Sequence, residues 1–239
     1  RDLSLPAIYA IALVAIACGA VAYIIADRNM QVRVGHVFQL FGVTLLGGIA
    51  ISAITGNNPM WWEQSFSFLG ERGSDTHTVF NATLIISGVL MIVLQQFFMD
   101  DFIYLRALGM LTPRKTQLVR VSLIALGVLM ALVGAIPFGV NPLLNNIHSF
   151  SAYGLALILL AHMILVRRLL PYFSHEFYAT SWVAVVLLVT VVTLHLTGSI
   201  NTVGVELLAF AIGGAWLTLF IKNVELLVDH ISSTGTAGQ

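Results

Sequence analysis

Seven side chains in this sequence have the types to do chemistry together: Glu63, Glu71, Asp75, His77, His148, His195 and Glu206. Imidazole nitrogen and carboxylate oxygen are suitable ligands for zinc, and a zinc ion with an open position would activate water for hydrolysis. On that reading His77, His148, His195 and Glu206 form the ligand set. The same groups would also suit a lipid headgroup held without covalent chemistry. Haem between His148 and His195 is the third and weakest reading. The bland alternative is that these groups simply hydrogen-bond to one another and tie loops down. No HExxH or other compact ligand motif is present, so spacing alone does not choose among them.

Three of the acids and the first histidine fall in one stretch, GNNPMWWEQSFSFLGERGSDTHTVFN, from Gly56 to Asn81. It is the longest polar interruption in a chain otherwise built of apolar runs. Its tryptophans, Trp61 and Trp62, suit the boundary between bilayer and water, where amphipathic rings anchor a protein.

The elements that must position these groups are membrane spans. Of 239 residues, 58% are hydrophobic and 9% charged, whereas about a quarter of residues in soluble domains are charged. The bilayer must therefore act as solvent, and the chain reads as an integral, multi-pass membrane protein. A formal net charge of zero gives no sign of a nucleic-acid partner, and the single cysteine, Cys18, excludes an internal disulfide. Membrane lipids, and other membrane proteins packed against the helices, are the expected partners.

Seven segments approach the ~20 apolar residues a spanning helix needs: about Leu5–Ala26, Val34–Thr55, Thr78–Met99, Leu118–Gly139, Ile147–Leu170, Tyr178–Thr197 and Val203–Val228. The expected fold is all-α, one transmembrane bundle over residues 1–230 with a disordered polar tail, 231–239. The first segment reads as a retained helix rather than a cleaved signal, because its apolar run continues past Cys18. With the N-terminus outside, external segments carry Arg1 and Arg72, while the nine other lysines and arginines are internal. Basic residues stay on the cytoplasmic side, so this split places the N-terminus outside and the C-terminus inside. His77, His148, His195 and Glu206 then lie at nearly one depth at the outer ends of four helices, beneath the Gly56–Thr76 loop. Ionisable groups are costly inside the apolar layer and usually face the bundle interior, where they find partners. Lys222 sits too near an inner helix end to suit a retinal, and no continuous path of embedded charge suggests a pump.

Three stretches carry a family likeness. FSFLGERGSDTHTVFNATLIISGVL resembles the first external loop and following helix of the Frag1/DRAM/Sfk1 membrane proteins, NNIHSFSAYGLAL their histidine-headed helix, and VGVELLAFAIGGAWLTLFIKNVE their last helix. Prokaryotic membrane domains of unknown function share the layout. The resemblance covers Val34 to Glu225 and puts His148 on the family's histidine and Glu206 on its glutamate. It departs at the family's aspartate, where this chain has Phe68, so Glu71 or Asp75 would have to substitute. The resemblance implies lipid handling at the non-cytoplasmic leaflet. The alternative from a different class is a non-catalytic subunit or scaffold of a membrane complex.

Overall fold

The computed structural model describes residues 34–58 and 60–236, with side chains to residue 233. The expected first span, Leu5–Ala26, and its Cys18 lie outside the described residues. Regular structure in the described residues is helical: α1 (Val34–Thr55), α2 (His77–Ala107), α3 (Pro113–Ala135), α4 (Pro142–Leu169), α5 (His175–Leu196) and α6 (Thr202–Thr236). Two short 3-10 turns, Trp61–Glu63 and Phe66–Gly70, lie between α1 and α2. All six α-helices are long and apolar enough to cross a membrane, so the protein is an integral, multi-pass membrane protein.

Several helices start before or run past the apolar runs that announce them. The run at Ile147 is preceded by Asn141 and Pro142, and α4 begins at Pro142 with the Asn141 side chain accepting the Leu144 N–H. Proline suits the first turn because that turn's N–H groups have no helical partner, and asparagine supplies an acceptor for one of them. Thr112 and Ser174 cap α3 and α5 in the same way. The final helix runs on to Thr236, past His230, where a disordered tail was expected.

Successive helices run antiparallel, so the bundle has two ends. The loop end gathers the 56–76 segment and the α3–α4 and α5–α6 turns. The opposite end carries every described lysine and arginine except Arg72. There Lys222 pairs with Glu225 at 3.0 Å, and Glu225 also accepts the Gly35 N–H at 2.9 Å, joining α6 to the start of α1.

Small residues set the helix spacing, as association in lipid requires when no hydrophobic drive acts between helices. Gly88 of α2 and Gly127 of α3 face each other. A Cβ on Gly88 would stand 2.5 Å from the Gly127 carbonyl oxygen, and one on Gly127 would stand 2.6 Å from that of Gly88. Gly134 lies as closely against the backbone of Asn81, while Gly48 of α1 abuts the Thr83 side chain. Ser52, one turn on from Gly48, is fully buried and donates to the Gly48 carbonyl. Further toward the opposite end, Phe98 stacks on Phe220 and Phe220 on Trp216, with centroids 5.7 and 5.3 Å apart. The Trp216 indole N–H donates to Ser181 of α5. Mid-bundle, His162 of α4 bonds Ser122 of α3 at 2.9 Å, the neighbouring-helix role its position suggests.

Candidate functional site

The 56–76 loop lies across the bundle end and is held there by groups from several elements. His148, buried in the second turn of α4, uses both ring nitrogens. Nδ1 is 2.7 Å from the Ile136 carbonyl and Nε2 is 2.8 Å from the Ser67 hydroxyl. A carbonyl only accepts, so Nδ1 carries the hydrogen, and in the neutral ring Nε2 accepts from Ser67. The Phe138 ring meets the imidazole edge-on at 5.7 Å. On the preceding residue of the loop, the Phe66 N–H donates to Glu206 Oε2 at 2.6 Å. His148 and Glu206, from two helices, therefore grip consecutive loop residues.

Other contacts complete the attachment. The Asn201 amide donates to the Trp62 carbonyl at 2.9 Å, and the Asn81 amide to the Gly70 carbonyl at 2.9 Å. Thr76 and Ser74 both donate to the Leu69 carbonyl. The Arg72 N–H points to the Phe138 carbonyl at 3.4 Å, while the Glu71 side chain lies along Gly139. Gly139 has φ +84°, a conformation that a side chain would oppose. Trp61 stacks on Phe66 at 5.6 Å, joining the two 3-10 turns.

The remaining histidines are engaged locally. His77, the first residue of α2, lies 2.7 Å through Nδ1 from the Ser74 carbonyl, and its Nε2 meets Thr78. His195 closes the α5–α6 turn through Nδ1 to the Ile200 carbonyl at 3.2 Å. Among the described residues no three of His, Cys, Asp or Glu are placed to share a metal ion. The quartet His77, His148, His195 and Glu206 is thus not brought together as a ligand set.

Beside the anchored segment the loop encloses an open groove of about 550 Å³. Asn57, Asn58, Trp61, Phe68, Glu71, Arg72, Ser74 and Asp75 contribute to its walls. Asp75 accepts from the Asn57 amide. The Glu71 carboxylate and the Arg72 guanidinium form no hydrogen bond or ion pair with other described side chains. Glu63, also predicted as a site residue, is exposed on the first 3-10 turn and does not line the groove. Of the seven chemistry-bearing residues, only Glu71 and Asp75 reach the cavity. Arg72 and the asparagines, which do line it, were passed over in the sequence because they belong to no ligand motif.

Residues 40–221 match the family described as protein of unknown function, DUF998. No curated protein and no solved structure matches the chain. The comparisons do not tie it to the Frag1/DRAM/Sfk1 proteins that its short motifs resemble.

Proposed function

We propose that this chain, which belongs to the DUF998 family of membrane proteins, binds a lipid headgroup in the groove beside the 56–76 loop. It does so at the extracytoplasmic face of a bundle whose N-terminus is outside. The observation that carries this reading is the groove itself. It is walled by Glu71, Arg72 and Asp75 together with one tryptophan, and it lies at the loop end of the bundle. The orientation follows from the basic residues at the opposite end, since lysine and arginine collect on the cytoplasmic side. With the undescribed Leu5–Ala26 segment as a further span, the bundle has seven.

The handling is recognition rather than hydrolysis. His148 and Glu206, the groups best suited to metal-assisted chemistry, are engaged with loop backbone and a serine hydroxyl.

Native mass spectrometry of the full chain released from lipid nanodiscs tests the function. A lipid retained by the parent protein and lost in an Arg72→Ala, Asp75→Ala double variant is expected. Equal retention by both would overturn the reading and favour the scaffold. For orientation, a membrane-impermeant maleimide applied to intact cells should label an Asn58→Cys variant in a Cys18→Ser background. Labelling only after lysis would reverse the topology.

A further inference from the structure

The groove walls carry both signs of charge, which bears on what kind of headgroup fits. This inference rests on the headgroup reading above and narrows it. Glu71 and Asp75 offer carboxylates, and Arg72 offers a guanidinium from the intervening stretch of loop. A ligand with only a phosphate would meet Arg72 but also two negative groups, and burial of like charges opposes binding. A purely cationic ligand would meet the reverse conflict at Arg72. A ligand bearing both groups satisfies all three side chains. Arginine is the preferred side chain for phosphate because its planar fork matches two oxygens at once. An ammonium donates hydrogen bonds to carboxylates and is also attracted to an indole ring, and Trp61, stacked on Phe66, belongs to the same wall.

The wall is also prearranged. Asn57 holds the Asp75 carboxylate, Glu71 lies on Gly139, and the Arg72 backbone is tied to Phe138. The backbone that carries the charges is thus fixed before any ligand arrives, which lowers the ordering cost of binding.

We infer that the groove formed by Trp61, Glu71, Arg72 and Asp75 recognises a zwitterionic phosphoryl-amine, with the phosphate on Arg72 and the ammonium between the two carboxylates. That chemistry is shared by an amine-bearing phospholipid headgroup and by a free phosphoryl-amine, and the test separates the two.

The full chain in detergent is titrated with phosphoethanolamine, inorganic phosphate and ethylamine, read by isothermal calorimetry. In parallel, lipid retention is measured from nanodiscs mixing phosphatidylethanolamine with phosphatidylglycerol. Phosphoethanolamine should bind about tenfold more tightly than either fragment. Glu71→Gln and Asp75→Asn should each weaken it about fivefold to tenfold and leave phosphate binding unchanged or stronger. Arg72→Gln should weaken phosphoethanolamine and phosphate together. Both carboxylate variants are near-isosteric, and an unchanged elution profile and melting temperature confirm that they fold.

Selective retention of phosphatidylethanolamine, lost in the same variants, assigns the chemistry to lipid. Phosphoethanolamine binding without selective lipid retention supports the zwitterion and assigns it to a soluble ligand, overturning the headgroup reading. Retention of phosphatidylglycerol over phosphatidylethanolamine, removed by Arg72→Gln, overturns the zwitterion and leaves the headgroup reading standing. Equal affinities for phosphate and phosphoethanolamine, or carboxylate variants without effect, also overturn the zwitterion. Absence of binding in both arms removes both proposals.

Discussion

Phe66–Gly70 and Glu71–Asp75 are consecutive stretches of one loop, yet they stand in opposite relation to the rest of the molecule. In the first, the chain is apolar and its backbone turns in over the bundle, so Phe66 N–H, Leu69 C=O and Gly70 C=O must find partners there. Glu206, Thr76 and Asn81 supply them, and His148 takes the Ser67 hydroxyl. In the second, the side chains are charged, the backbone faces water on one side, and Glu71 and Arg72 stay uncommitted. A buried backbone group left without a partner costs about 1–3 kcal/mol. Helices beneath an inward-turning loop therefore need polar side chains at that depth, whether or not any reaction takes place. The histidine and glutamate at this end of the bundle are explained by the loop, and the groove by what the loop leaves outside.

The contrast is broken most severely at His148. His148→Ala strands the Ile136 carbonyl and the Ser67 hydroxyl together and leaves a void, so a loss of about 3 kcal/mol is expected. The unfolding midpoint in detergent should fall, and lipid retention should fall with it because the groove loses its backing. Gly70→Ala comes next. Its methyl would meet the Asn81 amide and lie 2.7 Å from the Phe80 ring, an overpacking worth about 2 kcal/mol. Asn81→Gly in the same chain should recover part of that loss, and the double-variant melting curve reads the coupling.

Glu206→Gln is milder. A glutamine oxygen still accepts from Phe66 and forfeits only the charge assistance, so about 1 kcal/mol of stability is expected to go. A larger fall in ligand affinity than in stability would show Glu206 acting on the groove rather than on the loop. The smallest effect belongs to the outer wall. Glu71→Gln and Asp75→Asn should shift stability by no more than about 0.5 kcal/mol while changing binding, since neither group is buried. A melting shift as large as that of His148→Ala would erase the distinction between the two stretches.

The spans were legible because the apolar runs are long, and α1 has the bounds its run suggests. Helix starts were less so, since Pro113 and Pro142 lie ahead of the apolar runs at Leu118 and Ile147 although each opens a helix. His148 and Glu206 stand at the same end of the bundle and tie the loop down as the bland reading had it, though through loop backbone and a serine hydroxyl rather than through one another. Their partners were not legible. The Phe66 N–H and the Ile136 carbonyl are backbone groups that nearly every residue possesses, so no residue type marks them. His77 and His195 lie at the same end of the bundle, but their rings close their own turns. The groove wall was not legible for the opposite reason. Arg72 reads as a solitary external cation until the loop's path sets it beside Glu71 and Asp75.

The bond from Phe66 to Glu206 joins residues 140 positions apart in the chain. While the polypeptide is being made, the loop emerges 140 residues ahead of its clasp. Until the sixth described helix has been threaded into the bilayer, the early loop lacks one of its fastenings. The groove is therefore finished only after α6 has been made, and a chain cut short before α6 would carry the charged wall without the glutamate that holds its neighbour in place.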